Sequence, residues 1–420
     1  MFDDRSQVRL LARIAELERV KSAAAAEQAR LSVDFDVQRR AEEAAAGVAA
    51  AKRGRGVGPE IALARRDSPN QGGRHLGFAR ALVQEMPHTL AALEAGVLSE
   101  WRATLIVRES ACLDVEARRR LDAEMCADQS GLDGCGNARI AADAAAIAYR
   151  LDPRAVAQRA AKAAAERSVT IRPAPDTMTY VTALLPVAQG VSVYASLKRA
   201  ADTIVDGRSR NQVMADTLVE RTTGRGAAEA VPVAVNLVLS DETLLGGEDP
   251  ARLDGYGPIP AEIACRLVEK AVTDPGSRAT LRRLYATPET GALVAMDSRA
   301  RRFPAGLARF LRLRDQRCRT PYCDAPIRHL DHITPHRRGG STSADNGQGL
   351  CERCNYLKEL AGWTARADTE PTGRHTTTLT TPTGQEYHCT ARPILPGRRK
   401  PDRITLDQRI GVELYDLHAA

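Results

Sequence analysis

Aromatic residues make up only 4% of this 420-residue chain, and no stretch of it approaches the run of about 18 apolar residues that a membrane-spanning helix needs. The second absence excludes a helical membrane anchor. The first argues against recognition of single-stranded nucleic acid by stacking bases on aromatic rings. The start, Met1-Phe2-Asp3-Asp4-Arg5, lacks the basic opening and apolar stretch of a secretory signal, which makes the cytoplasm the expected compartment. There the nine cysteines are not expected to form a disulfide framework, and close cysteine pairs read as metal ligands.

The length exceeds one ordinary core and implies two or three domains. From Arg5 to about Ala51 there is no proline and one glycine, Gly47, while Leu10, Ile14, Leu17, Ala24, Leu31 and Phe35 fall near heptad positions. A long helix is therefore expected within 1–56, broken by Arg53-Gly54-Arg55-Gly56. Lys21 and Gln28 interrupt the seam, which favours packing on the protein's own body over a homodimer through this helix. Shorter helical segments, Gly77 to Gln84, Thr89 to Ala95 and Ser99 to Cys112, suggest a helical domain over 57–166.

The texture changes near Val169. Alternating segments at Val169 to Arg172 and Met178 to Ala183, a helical stretch from Val191 to Ile204, an apolar strand from Val231 to Leu239, and a hairpin from Leu281 to Ala286 with Ala292 to Met296 read as a small α+β region over 167–297. That region has neither a phosphate-binding glycine loop nor paired catalytic carboxylates. Cys112, Cys126, Cys135 and Cys265 are dispersed and read as incidental thiols. Nothing in the first 297 residues names a reaction.

Charge and chemistry gather beyond that point. From Arg299 to Trp363 there are 13 Lys and Arg against 6 Asp and Glu, an excess of +7 that equals that of the whole chain. A compact basic stretch implies a polyanionic partner, most simply DNA. Within it Cys318 and Cys323 form one close pair, and Cys351 and Cys354, after 27 intervening residues, form another. Four thiolates make a closed tetrahedral Zn2+ site, which is structural because no coordination position remains for substrate or water. Cys389 stands outside this spacing.

Between the pairs lie Arg328-His329-Leu330-Asp331-His332-Ile333-Thr334-Pro335, then Gly339-Gly340, then Asp345-Asn346; Asn355 follows the second pair. Here the chain resembles the HNH endonuclease family, in its zinc-bearing four-cysteine branch. The resemblance implies a ββα-metal fold over 298–365, with His332 on the first strand, Asn346 on the connecting loop and Asn355 on the helix. It widens to actinobacterial HNH proteins with an N-terminal helical domain of unknown function, through Pro87-His88-Thr89-Leu90-Ala91-Ala92-Leu93-Glu94-Ala95-Gly96, Leu98-Ser99 and Arg102-Ala103. The implied class is a mainly α N-terminal region, a small α+β middle and a zinc-stapled C-terminal module. Residues 366–420 read as a Thr-rich hairpin and a Pro/Arg-rich tail.

The resemblance implies a metal-dependent DNA endonuclease. His332 would be the general base, Asn346 would tie the loop that aims it, and Asp331 with Asn355 would hold a catalytic Mg2+ or Mn2+ separate from the zinc. Asn355 departs from the histidine of many members, which bears on metal preference. Neither His329, an odd number of residues from His332, nor His336, beyond Pro335, is assigned the base role. Arg337, Arg338, Arg353 and Lys358 are candidate phosphate contacts. The alternatives are a zinc-bound DNA-binding regulator or mobile-element accessory protein without nuclease activity, and a nuclease acting on RNA or branched DNA.

Overall fold

Forty-two consecutive residues without proline wind into α1 (Asp4–Ala45). The computed structural model describes residues 4–394 except 205, 225, 227–236, 245–246, 254–255, 274–301 and 370–373. The helix stops at Ala45 rather than near Ala51 because Gly47 takes a left-handed φ of 78°. The N–H of Val48 then reaches back to Glu43 O at 2.8 Å and that of Gly47 to Ala44 O at 3.0 Å, which satisfies carbonyls the helix end would leave open.

The chain divides into two compact units, residues 1–169 with 183–187, and residues 170–182 with 188–420. In the first, α1 is followed by α2 (Val57–Ala64), α3 (Gly72–Arg80), α4 (Pro87–Glu94), α5 (Glu100–Ser110), α6 (Val115–Cys126), α7 (Asn137–Leu151) and α8 (Pro153–Ala165). Small residues on the inner face of α1, Ala25, Ala26 and Ala29, let it lie against α3 and α4, over a core that includes Leu82, Met86, Leu93, Leu98, Ile106, Leu121 and Ile140. Helices α2 and α3 meet so closely that a Cβ on Gly72 would fall 2.2 Å from Gly58 O. The Pro87-His88-Thr89 start of α4 is capped from another helix. Asp122 of α6, fully buried, accepts the N–H groups of His88 (2.8 Å) and Thr89 (2.7 Å) and the Thr89 hydroxyl (2.6 Å). The first turns of α1 behave differently, for Leu10, Ile14 and Leu17 are all exposed.

The middle of the chain is α+β. Strands β1 (Ser168–Ala174) and β2 (Met178–Leu184) form a two-stranded sheet, followed by α9 (Val187–Thr203) and α10 (Arg210–Thr223). A small antiparallel sheet follows, made of β3 (Leu237–Val238), β4 (Ala251–Leu253) and β5 (Gly257–Ile259), with α11 (Asp241–Leu244) between β3 and β4 and α12 (Ala261–Thr273) after it. Of the strand expected from Val231 to Leu239, the structure describes only the end, and the hairpin expected at Leu281 to Ala286 and Ala292 to Met296 lies outside the described residues.

The C-terminal module begins with α13 (Ala305–Asp315), whose Leu307 and Leu311 are buried with Ala344. Strands β6 (His329–His332) and β7 (Gly347–Leu350) pair antiparallel, with Asp331 opposite Gln348 and His332 opposite Gly347, and α14 (Glu352–Leu357) follows at once. This is the ββα arrangement. Beyond it β8 (Thr364–Thr369), β9 (His375–Thr380) and β10 (Glu386–Thr390) make an antiparallel sheet with β9 in the middle. The Thr-rich hairpin is β9 with β10, and β8 adds a third strand. The Pro/Arg-rich tail from 395 lies outside the described residues. Among the described residues no helix is long and apolar enough to cross a membrane.

Candidate functional site

The first cysteine pair sits on a tight knuckle. Cys318 N–H donates to Ala325 O (2.9 Å), Cys323 N–H donates to Thr320 O (3.0 Å), and Tyr322 takes a φ of 61° to close the turn. The second pair opens α14: Cys351 is its N-cap, and its Sγ accepts the N–H of Cys354 at 3.4 Å. The four sulfurs lie within 4.8 Å of one another, and all four residues are buried. Cys323 and Cys351 Sγ are 3.8 Å apart, the separation two thiolates take on a tetrahedral zinc with bonds of about 2.3 Å. Without a cation, hydrogen bonding to Cys323, Cys351 and Cys354, then burial, pushes the Cys318 thiol far above its ordinary range, while the bond with Cys318 pulls Cys351 down to about 6. Four buried sulfurs of this kind ionise together only around a positive charge. The cluster can hold a metal such as zinc.

On the other flank of the module, His332 ends β6 and is 7% exposed. Its Nε2 lies 2.9 Å from Thr342 Oγ1, its ring packs on Phe303 with centroids 4.6 Å apart, and the exposed His336 stands edge-on to it at 5.7 Å. His329 is half-buried at the far end of the strand, opposite Leu350. Asn346 works as a staple on the loop after β6. Its Oδ1 accepts Thr334 N–H (2.8 Å), its Nδ2 donates to Thr334 O (3.0 Å) and Ser341 O (2.7 Å), and its carbonyl accepts Ile333 N–H (2.7 Å). The loop closes this tightly because residue 340 is glycine. A Cβ there would lie 1.9 Å from Thr334 O.

Asn355 lies on α14, which packs against β6, and its Oδ1 is buried without a hydrogen-bond partner. A buried carbonyl-type oxygen left bare is costly in a folded protein unless something absent from the polypeptide completes it. Asp331, at the neighbouring position to His332, is 29% exposed and bonded through Oδ2 to Lys358 Nζ at 2.7 Å. Lys358 itself is buried, and its ammonium reaches three acceptors: Asp331 Oδ2, Glu359 Oε1 (2.7 Å) and His332 O (3.1 Å). An ammonium has three protons to give, so this side chain is fully engaged inside the module rather than presented to a phosphate. The hydrogen bond from Lys358 also holds the Glu359 carboxyl below its ordinary range. Arg337, Arg338 and Arg353 are exposed, and Arg337 pairs with Glu359 at 2.8 Å.

Several side chains that hold this arrangement carry no local motif. Arg314 and Asp315 at the end of α13 are buried together at 2.7 Å; Arg314 donates to the carbonyls of Ala344 and of Gly347 (2.6 Å), and Asp315 accepts Gly349 N–H (2.7 Å). They fasten β7 from behind. Arg319, beside Cys318, donates to the carbonyl oxygens of His375 (2.9 Å) and Cys389 (2.5 Å). The only local hint of these roles is a charged pair, Arg314-Asp315, on the helix that supplies the apolar Leu307 and Leu311.

Comparison with known proteins meets this geometry. The model of the domain of unknown function DUF222 matches residues 11–315, and that of the HNH endonuclease matches residues 316–359, the span holding both cysteine pairs, β6, β7 and α14. The uncharacterized protein Rv3776 of Mycobacterium tuberculosis (strain ATCC 25618 / H37Rv) is 32% identical over 187 residues, which are 40% of this chain and 34% of that protein. The chain thus spans about a third of the length of that relative. No solved structure matches. An HNH domain supports a nuclease-type function in general. The chain belongs to the DUF222 family and carries an HNH endonuclease domain behind that region.

Proposed function

We propose that this protein is a metal-dependent DNA endonuclease of the cytoplasm. Zn2+ at Cys318, Cys323, Cys351 and Cys354 has a structural role in this reading, since four thiolates close the coordination shell. His332 takes the proton of the attacking water on a ring nitrogen. The water oxygen bonds to phosphorus, and the P–O bond to the leaving sugar oxygen breaks. Asn346 keeps the backbone after His332 in place through its bonds to Thr334. Asp331 and Asn355 offer oxygens for Mg2+ or Mn2+, and a divalent cation there would neutralise charge growing on the phosphate. The observation that carries this reading is the bare, buried Oδ1 of Asn355 in the same ββα unit as His332. Arg337, Arg338 and Arg353 supply exposed positive charge for phosphates.

The domains in this reading are a long N-terminal helix (1–56), a helical domain (57–166), the α+β region (167–297), the nuclease module (298–365) and a C-terminal segment (366–420). A second copy of the chain is the proposed occupant of the Leu10, Ile14 and Leu17 stripe; sedimentation showing only monomer at micromolar concentration contradicts that part.

One observation favours the rival reading of a zinc-bound DNA-binding regulator or mobile-element accessory protein. Lys358 already places a positive charge on Asp331, which leaves a cation the other carboxylate oxygen. Supercoiled plasmid incubated with the purified protein and Mg2+ separates the two. Conversion to open-circular or linear DNA, stopped by EDTA, supports the nuclease; retention of intact plasmid in a bound complex supports the rival.

A further inference from the structure

The sheet β8–β10 follows the ββα unit in the chain and lies outside the residues matched by the HNH family. One of its side chains reaches the loop that carries Asn346. His375, at the start of the central strand β9, is 6% exposed, and its Nε2 lies 2.7 Å from the carbonyl oxygen of Asp345. A carbonyl can only accept, so Nε2 carries the hydrogen and donates, and Nδ1 is the bare nitrogen; Nδ1 is buried without a partner. Burial first, and then the nearby Arg314 guanidinium, pull the imidazole down to about 4, which keeps this single-donor form at neutral pH.

The position of that donor is itself fixed. The carbonyl of His375 accepts Arg319 Nη2 at 2.9 Å and Ala391 N–H at 2.8 Å, and Arg319 is the residue next to Cys318. From His375 the contacts run without a gap to the other flank of the module. Asp345 is covalently joined to Asn346, and Asn346 grips Thr334 and Ile333, the two residues that follow His332.

We propose that His375 is a positioning residue of the nuclease reaction, holding the Asp345–Asn346 peptide so that Asn346 fixes the backbone behind His332, and that the β8–β10 sheet is thereby a working part of the nuclease module. The proposal rests on the nuclease reading above. It assigns His375 no contact with substrate. Its effect falls on the rate of the bound complex, because neither the exposed arginines nor the cysteine cluster is changed by losing one hydrogen bond to a loop carbonyl.

The full-length protein, its His375→Leu and His375→Gln variants, Asn346→Ala and the Asn346→Ala, His375→Leu double variant are compared by single-turnover plasmid cleavage in Mg2+, by zinc content, and by amide hydrogen exchange over residues 333–346. Glutamine keeps a donor at the ε position, and leucine fills the space without one. His375→Leu is expected to lower the cleavage rate about tenfold or more with the half-saturating DNA concentration within about twofold and zinc retained, and to speed exchange across 333–346. His375→Gln is expected to recover most of both, and the double variant to be no slower than Asn346→Ala. Wild-type rate and exchange in a folded His375→Leu protein overturn the proposal. So do equal losses in both His375 variants accompanied by loss of zinc, and multiplication of the two defects in the double variant. A wild-type protein that never cuts removes the nuclease reading instead, and the exchange comparison still shows whether His375 holds the loop.

Discussion

Lys358 Nζ lies 2.7 Å from Asp331 Oδ2 and 3.1 Å from the carbonyl oxygen of His332, so one buried ammonium braces the two residues at the end of β6. It gives the module a fixed cation beside the carboxylate proposed to bind the divalent ion. Replacing Lys358 with methionine leaves Asp331 half-buried without its charge partner. That should destabilise the module by about 2 kcal/mol, the usual size for a hydrogen bond to a charged group. Because Lys358 does not face a phosphate, Lys358→Met should leave the salt dependence of DNA binding unchanged, whereas Arg338→Ala or Arg353→Ala should flatten the slope of log K on log salt by about 1. Binding titrations between low and moderate salt decide it; a flattened slope for Lys358→Met returns that side chain to the DNA surface.

Removal of the cysteine cluster should unfold the module and spare the rest. Purified protein should carry about one zinc per chain, and Cys318→Ser or Cys351→Ser should lose it, with the structure around β6, β7 and α14. The helices of the first unit have their own core of Leu82, Leu93, Leu98, Ile106 and Leu121, so most of the helical circular dichroism should remain. Elemental analysis with thermal melts is the check, and zinc-free protein with an intact module contradicts it.

The cysteine pairs were legible because each chelating pair is local and its spacing alone pinches the sulfurs together. The ββα order was legible only through the family resemblance, which His332, Asn346 and Asn355 carry within a short stretch of chain. The long helix was legible from its lack of breakers, but its end was set by one left-handed residue, Gly47, rather than by the later Arg53-Gly54. Which of its apolar residues are covered was not legible. Leu10, Ile14 and Leu17 look like a seam in the sequence, yet the buried face is the alanine stripe Ala25, Ala26 and Ala29, a matter of tertiary packing. Lys358 and His375 were illegible as supports for the same physical reason. Their partners lie 27 and 30 residues away in sequence, and nothing local distinguishes a buried lysine from a solvated one.

Under the proposed function, metal preference follows from Asn355. Its bare Oδ1 and the Asp331 carboxylate offer oxygen alone, which suits Mg2+ or Mn2+ rather than late transition metals. Weak binding through two ligands should let dialysis against EDTA remove the catalytic ion while the cysteine-bound zinc stays. Activity should return with Mg2+ or Mn2+, Asn355→His should shift the preference toward Ni2+ or Co2+, and Asn355→Ala should abolish cleavage in a folded module. Full activity with Zn2+ alone, and none with Mg2+ or Mn2+, contradicts the oxygen-donor argument.

Acid should loosen the module through His375. Its imidazole is held down to about 4 in the folded protein against an ordinary value near 6.5, so the unfolded chain binds the extra proton first. The stability this neutral histidine contributes is complete above about pH 6.5, falls as pH drops, and is gone below about 4, a change of about 3 kcal/mol at most. Denaturant melts of the wild-type and His375→Gln proteins across this window should show the slope in the first and a flatter profile in the second. Parallel profiles would mean that other groups govern the acid limb.

The most direct measurement compares His332→Ala, His336→Ala and wild-type protein in plasmid cleavage with Mg2+, alongside DNA binding and zinc content for each. His332 is the buried histidine at the end of β6, and His336 is the exposed one 5.7 Å away. The expected result is a loss of about a hundredfold or more in cleavage for His332→Ala, with DNA affinity and zinc unchanged, and near wild-type cleavage for His336→Ala. Cleavage that survives His332→Ala and disappears with His336→Ala, or plasmid left intact by the zinc-loaded wild-type protein in both Mg2+ and Mn2+, contradicts the assignment of His332 as the base of a metal-dependent nuclease.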